Sequence, residues 1–182
     1  MKIILFGANG QLGKSFKYYL SKEKNLKFYA FTKNQLNILN KTKLCNIVKK
    51  IRPIYIINCA AYTKVDKCEK NKKIANQINY IGVKNLSNLC KKLDITLIHF
   101  STDYVYDGKK SYPYNENDKC NPINVYGLSK LKGEKVIINN NQKYIIIRLS
   151  WLFSKYDNSN FVNFIKNIFY YKKNINVIDN QY

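Results

Sequence analysis

At 182 residues, with 46% hydrophobic side chains, the chain is the size of one domain with a buried core, which excludes a disordered or fibrous polypeptide. Its net charge of +21 is almost all lysine, Arg52 and Arg148 excepted, strewn from Lys2 to Lys173; that reads as solvated faces weakly attracting polyanions, not as a specific nucleic-acid surface. The longest apolar runs, such as Tyr144-Ile145-Ile146-Ile147, are of strand length and Met1 opens no signal peptide, so a soluble cytoplasmic protein with no membrane partner is expected.

Lys2 to Phe6 is a short apolar run, the pattern of a parallel strand buried on both faces. It leads into Gly7-Ala8-Asn9-Gly10-Gln11-Leu12-Gly13, and helical sequence follows as far as Leu20. Strand, glycine turn and helix, in that order, are the context of a dinucleotide-binding fingerprint. Gly7 permits the tight turn, Gly10 lets a pyrophosphate approach the backbone, Gly13 lets helix pack on strand, and the helix N-terminus attracts the phosphates. The spacing is GxxGxxG rather than GxGxxG.

Leu26 to Phe31 reads as the second strand, followed by Thr32 and Lys33. An acidic residue there would hold the ribose 2′-hydroxyl of NAD; Lys33 suits a 2′-phosphate and favours NADPH, with NADH possible. Leu36 to Asn40 leads into a helix around Lys43 to Lys50, Pro53 punctuates it, and Ile54 to Asn58 forms the third strand. That strand delivers Cys59-Ala60-Ala61-Tyr62-Thr63, whose small residues either let backbone approach the middle of a cofactor or simply make a tight connection. The spacing of Ile74, Ile78, Ile81, Leu86 and Leu89 predicts one long helix from Lys72 to Lys92.

Ile95 to Phe100 is the fourth strand, with His99 read as a strand position lacking a partner in view. It delivers Ser101-Thr102-Asp103, hydroxyls and a carboxylate at the carboxyl end of a parallel strand, where such sheets bind ligands. A polar loop from Asp107 to Ile123 is expected over the site, followed by a helix running to Ile138. Tyr126 and Lys130, four apart, share one face of that helix. An ammonium beside a phenol lowers the phenol's pKa, which would make Tyr126 a proton donor and acceptor near neutral pH, with Thr102 or Ser101 completing a clamp on a carbonyl oxygen. Lys143 to Leu149 is the next strand, Phe161 to Tyr171 a helix and Ile175 to Ile178 a short strand. The five cysteines are scattered and odd in number, which indicates reduced thiols and neither a disulfide framework nor a metal site. The alternation gives an α/β fold with a doubly wound, Rossmann-like parallel sheet.

In its glycine turn, in Asn58 to Asp66, in Ser101 to Tyr106, in Pro122 to Lys130 and in Arg148-Leu149-Ser150-Trp151, the sequence resembles the sugar-nucleotide branch of the extended short-chain dehydrogenase/reductase superfamily. Within that branch it is most similar to the dTDP-4-dehydrorhamnose reductase family. The resemblance implies hydride transfer from NADPH or NADH to the C4 keto group of dTDP-4-dehydro-L-rhamnose, giving dTDP-L-rhamnose. Tyr126 is then the proton donor to the forming alkoxide, Lys130 holds the nicotinamide ribose, and Thr102 hydrogen-bonds the substrate oxygen. Gly10, Gln11 and Leu12 meet the pyrophosphate, and Ala60, Ala61 and Thr63 the cofactor's middle. Asn37, where the family usually has Asp, stands with Ile38 at the adenine. Asp103 and Trp151 fall beside the substrate sugar; a helix cap for Asp103, a core indole for Trp151 and a surface position for Tyr126 are the structural alternatives.

Members of that family continue into a smaller lobe that closes over the nucleotide sugar, and most of that lobe is missing here. The expectation is therefore a C-terminally truncated or shortened member, with residues 1–182 forming the NAD(P)-binding domain and the substrate lobe beginning within 150–182. A homodimer or a separate chain carrying the lobe is the expected protein partner, beside a dTDP-sugar substrate. A non-catalytic cofactor- or partner-binding module and a related sugar-nucleotide epimerase or dehydratase are the alternatives to a reductase.

Overall fold

The computed structural model describes residues 1–140, 143–156 and 160–171. Its centre is one sheet of five strands: β1 (Lys2–Phe6), β2 (Lys27–Phe31), β3 (Tyr55–Asn58), β4 (Thr96–Thr102) and β5 (Tyr144–Leu149). They lie in the order β2-β1-β3-β4-β5, every neighbouring pair parallel. Parallel neighbours require a crossover, and helices supply them: α1 (Gln11–Leu20) between β1 and β2, and α2 (Lys41–Ile51) between β2 and β3.

Alternate strand residues point to opposite faces, and both faces are covered. Ile3, Leu5 and Ile57 pack with Phe16 and Leu20 of α1. Ile4, Phe6, Ile56 and Leu97 face the other way, onto Leu44 and Val48 of α2 and onto Leu86 and Leu89 further along the chain. The sequence winds outward from β1 in both directions, so the strand order reverses between β1 and β3. A crevice opens there, at the carboxyl ends of the strands, where open α/β sheets take ligands.

Local chemistry sets the element ends. Asn40 accepts a hydrogen bond from the Lys43 amide at 3.0 Å and starts α2, which stops at Arg52 in the left-handed region (φ 53) just before Pro53. The single helix expected over Lys72 to Lys92 is instead α4 (Lys72–Asn76), a wide π-helical turn (Gln77–Gly82) and α5 (Val83–Leu93). Apolar spacing cannot distinguish that widened turn from a regular one. A six-residue helix, α3 (Val65–Lys70), precedes them, too short to show periodicity. β4 runs through Thr102, so Ser101 and Thr102 belong to the sheet rather than to the segment after it. α6 (Val125–Asn140) and α7 (Phe161–Tyr171) lie where the sequence places them, and the strand expected at Ile175 to Ile178 lies outside the described residues.

Among the described residues no helix is long and apolar enough to cross a membrane. The five cysteines are free thiols, Cys68 and Cys90 buried and the others partly so.

Candidate active site

The crevice is shaped by three glycines that do different work. Gly7 has φ +77, and a Cβ on it would stand 2.6 Å from the Ala60 amide nitrogen, so the turn after β1 is pressed against the backbone after β3. A Cβ on Gly13 would strike the Gly7 carbonyl, so α1 packs this close to β1 only without one. Gly10 differs: its φ is −72, and a Cβ would meet nothing nearer than the Gly7 carbonyl oxygen at 3.4 Å. The fold does not need glycine there, and bare backbone is left facing open space at the start of α1.

Around that backbone lies a cleft of about 210 Å³. Gly7, Asn9 and Gly10 line it from β1, Thr32, Lys33, Asn37 and Ile38 from beyond β2, and Cys59, Ala60 and Ala61 from beyond β3. Lys33 is exposed at its mouth. Gln11, in the first turn of α1, has a buried Nε2 with no hydrogen-bond partner among the described residues. A buried unpaired donor at a helix N-terminus, beside unfilled backbone, suits an anionic ligand oxygen. Of the sequence-predicted cofactor residues, Gln11, Leu12, Thr63, Tyr126 and Lys130 do not line this cleft, and Gly13 acts by packing beneath it.

A buried asparagine joins the cleft to α6. Asn79, on the π-helical turn, accepts from the Tyr62 amide at 2.8 Å and donates to the Tyr62 carbonyl and to Ser129 Oγ, each at 2.9 Å. Ser129 Oγ donates in turn to the Tyr126 carbonyl at 2.7 Å. The segment that follows Ala60 and Ala61 is thereby fixed to the helix carrying Tyr126 and Lys130. Sequence reasoning missed Asn79, since an Asn inside a helical pattern looks like any solvated polar residue.

Tyr126 is only 8% exposed and sits edge-on to Tyr104, ring centroids 5.7 Å apart. Gly127 permits this approach, since a Cβ there would collide with the Tyr104 carbonyl. The expected lowering of the phenol's pKa is not what the structure gives. Burial pushes Tyr126 up to about 12, hydrogen bonding with Thr102 pulls it part of the way back, and Asp103 adds to the rise. The reason lies in Lys130, whose long stem turns to the sheet: Nζ donates to the Phe100 carbonyl at 2.6 Å and stands 3.5 Å from His99 Nε2. Lys130 is 2% exposed, and burial lowers it to about 8 against the opposing pull of Glu134.

Thr102 Oγ1 donates to Asp103 Oδ1 at 2.9 Å and accepts from the Tyr104 amide at 3.3 Å, so Thr102, not Asp103, caps the short turn Asp103–Val105. Asp103 Oδ2 accepts from Ser150 Oγ at 2.8 Å. Ser101 is buried, with no partner for its Oγ among the described residues. Among the described residues Trp151 is 65% exposed, has φ +46 and meets Phe161 edge-on at 5.4 Å. The polar loop after β4 is tied down from within, because Asp107 accepts from Tyr114 Oη at 2.7 Å and from Asn121 Nδ2 at 3.1 Å. Those bonds hold the Asp107 carboxyl down to about 2.

Behind the site Arg148 of β5 grips Glu134 of α6 with two hydrogen bonds, Nε to Oε1 at 3.1 Å and Nη2 to Oε2 at 2.7 Å. The sequence held a signal for this pair, as Arg148 is the one charge in β5 and Glu134 the one acid in α6.

A parallel sheet whose order reverses at a glycine turn, with a Tyr-x₃-Lys helix leaning on the next strand end, defines a dinucleotide-binding α/β protein of the short-chain dehydrogenase/reductase class. More narrowly, the chain belongs to the family described as RmlD substrate binding domain, whose model matches residues 1–182. It is 37% identical over 177 residues to the dTDP-4-dehydrorhamnose reductase of Aggregatibacter actinomycetemcomitans, a match covering 97% of this chain and 59% of that protein. The crystal structure of the Bacillus anthracis dTDP-4-dehydrorhamnose reductase in complex with NADP superposes with a TM-score of 0.88 at 41% identity, covering 92% of this chain and 59% of that one. The Thermus thermophilus UDP-glucose 4-epimerase in complex with NAD, at 15% identity and a TM-score of 0.81, shares the fold alone. The chain spans about 60% of the length of the curated relatives it matches.

Proposed function

We propose that residues 1–182 form the cofactor-binding part of a reductase that takes NADPH, or NADH, and reduces the C4 keto group of dTDP-4-dehydro-L-rhamnose. The observation that carries this reading is the bare Gly10 backbone at the switch-point cleft, joined through Asn79 to the helix of Tyr126 and Lys130. Bound there, the dinucleotide supplies the hydride. Gly10 holds its pyrophosphate with Gln11 next to it at the start of α1, Asn37 and Ile38 line the adenine end, and Lys33 at the mouth favours a 2′-phosphate. Ala60 and Ala61 border its middle. Lys130 gives one N–H to the Phe100 carbonyl and has His99 on a second side, which leaves one N–H for a ribose hydroxyl.

A phenol pushed up to about 12 is fully protonated at neutral pH, which is the state a proton donor needs. Tyr126 gives its proton to the forming alkoxide, a much stronger base than phenolate, and Thr102 orients the substrate oxygen by turning to it the hydroxyl proton that Asp103 holds in the free protein. Asp103, held by Thr102 and Ser150, and exposed Trp151 face the sugar; the substrate lobe begins within 150–182.

The exposure of Trp151, Leu152 and Phe153 favours a second reading, in which the chain binds cofactor without turning over. NADPH titration, followed by NADPH oxidation with a dTDP-4-keto sugar, separates the two. Tyr126→Phe is expected to abolish oxidation while leaving NADPH affinity nearly unchanged. Equal turnover by the variant removes the proton-donor role, binding without any oxidation selects the second reading, and no NADPH binding sinks both.

A further inference from the structure

Three polar side chains beneath α6 form a connected, buried line: Asn58 at the end of β3, His99 in β4 and Lys130 in α6, exposed by 1%, 0% and 2%. His99 is the single histidine of the sequence. Asn58 Nδ2 lies 3.1 Å from His99 Nδ1, and Lys130 Nζ lies 3.5 Å from His99 Nε2. The hydrogens are fixed from one end. The Ala60 amide donates to Asn58 Oδ1 at 3.1 Å, so the NH₂ of Asn58 faces the ring and Nδ1 must accept from it. A neutral imidazole carries one ring N–H, which therefore sits on Nε2 and points at Lys130. Against an ammonium that is donor facing donor; against an amine lone pair it is a hydrogen bond.

We propose that Asn58 and His99 are positioning residues for Lys130, holding the imidazole as its Nε2–H tautomer so that a fixed donor faces Nζ and favours the amine over the ammonium. The consequence reaches the cleft. If Lys130 takes a proton, relief comes from moving the ring hydrogen to Nδ1, which turns the Asn58 amide over and releases the Ala60 N–H. Ala60 lines the cleft, and its nitrogen is what a Cβ on Gly7 would strike, so the charge on Lys130 and the backbone of the glycine turn are coupled.

Burial acts in the same direction on Lys130 and holds His99 neutral well below its usual range. The other titratable groups bearing on Lys130 are Glu134 on its own helix, which favours the ammonium and is itself paired with Arg148 of β5, and Cys59 after β3, whose thiol burial keeps neutral. The inference rests on the proposed function only for what Lys130 holds; its hydrogens belong to the free protein.

One imidazole makes the test unambiguous. In ¹⁵N-labelled protein at pH 9.5, the two-bond ¹H–¹⁵N spectrum of His99 is expected to show Nε2 protonated and Nδ1 bare, and the Ala60 amide shift is expected to follow the Lys130 midpoint. Asn58→Asp, nearly isosteric, can only accept from Nδ1; the ring is expected to change tautomer, and the Lys130 midpoint to rise as the facing donor is lost and a carboxylate charge is gained. An Nδ1–H ring in the unaltered protein at pH 9.5, a ring titrating like free imidazole, or an Asn58→Asp protein that keeps Nε2–H overturns the proposal. Should that variant not fold, the spectrum of the unaltered protein decides alone. NADPH is absent from every arm, so protein with the expected tautomer that fails to bind NADPH counts against the reductase and not against this device.

Discussion

The two sides of the sheet's centre are finished to different degrees. From β1 to β3 the apolar residues are sealed: Ile4, Leu5, Phe6 and Ile56 are wholly inaccessible. At the other edge Ile145 is 48% exposed, and on α7 Phe169 and Tyr170 are 82% and 83% exposed. At roughly 25 cal/mol per Å² of apolar surface removed from water, the first region recovers nearly all its hydrophobic free energy within the chain, and the second leaves much of it in contact with solvent. Stability and the glycine-turn cleft therefore share one end of the described residues, while the end carrying Trp151 leaves large apolar side chains exposed.

The contrast can be broken or sharpened by substitution. Gly13→Ala forces a methyl group onto the Gly7 carbonyl and is expected to cost about 3 kcal/mol in a urea unfolding series, whereas Gly10→Ala, with ordinary contact distance, should stay within about 1 kcal/mol and weaken NADPH binding instead. Equal losses at the two positions would erase the distinction between a packing glycine and a ligand-facing one. Glu134→Gln leaves Arg148 without its carboxylate. The expected loss is about 2 kcal/mol, below that of a fully buried pair because Arg148 is 21% exposed, and Arg148→Met in the same chain should restore part of it.

pH gives a gentler probe of the sealed half. Unfolded chains protonate histidine near ~6.5, and buried His99 does so only well below that, so the unfolded state takes up the proton first. Stability present at pH 7 should thus fall as the pH drops below about 6.5, and this contribution should be missing in His99→Gln. Lys130, lowered to about 8, works on the alkaline side: between that value and the ~10.4 of free lysine, stability should rise with pH. The smallest effect is expected on the open half, where Phe169→Ser should change stability by no more than about 0.5 kcal/mol and reduce binding of a hydrophobic dye. A large loss there would mean that α7 is held by packing that its exposure does not reveal.

The sequence by itself determined the strands, the glycine turn and the Tyr126–Lys130 helix, because each is written in local patterns: apolar runs, glycine spacing and a four-residue repeat. It could not decide where long side chains go once elements meet. Lys130 shares a helix face with Tyr126, yet its Nζ is claimed by the Phe100 carbonyl, and Tyr126 is governed by burial instead. His99 read as a strand residue and Asn79 went unnoticed in a helical pattern; partners 31 and 17 positions away in the chain, Lys130 and Tyr62, give them their roles. Protonation states and hydrogen-bond relays depend on dielectric and on distances between elements, and neither exists until the chain has folded.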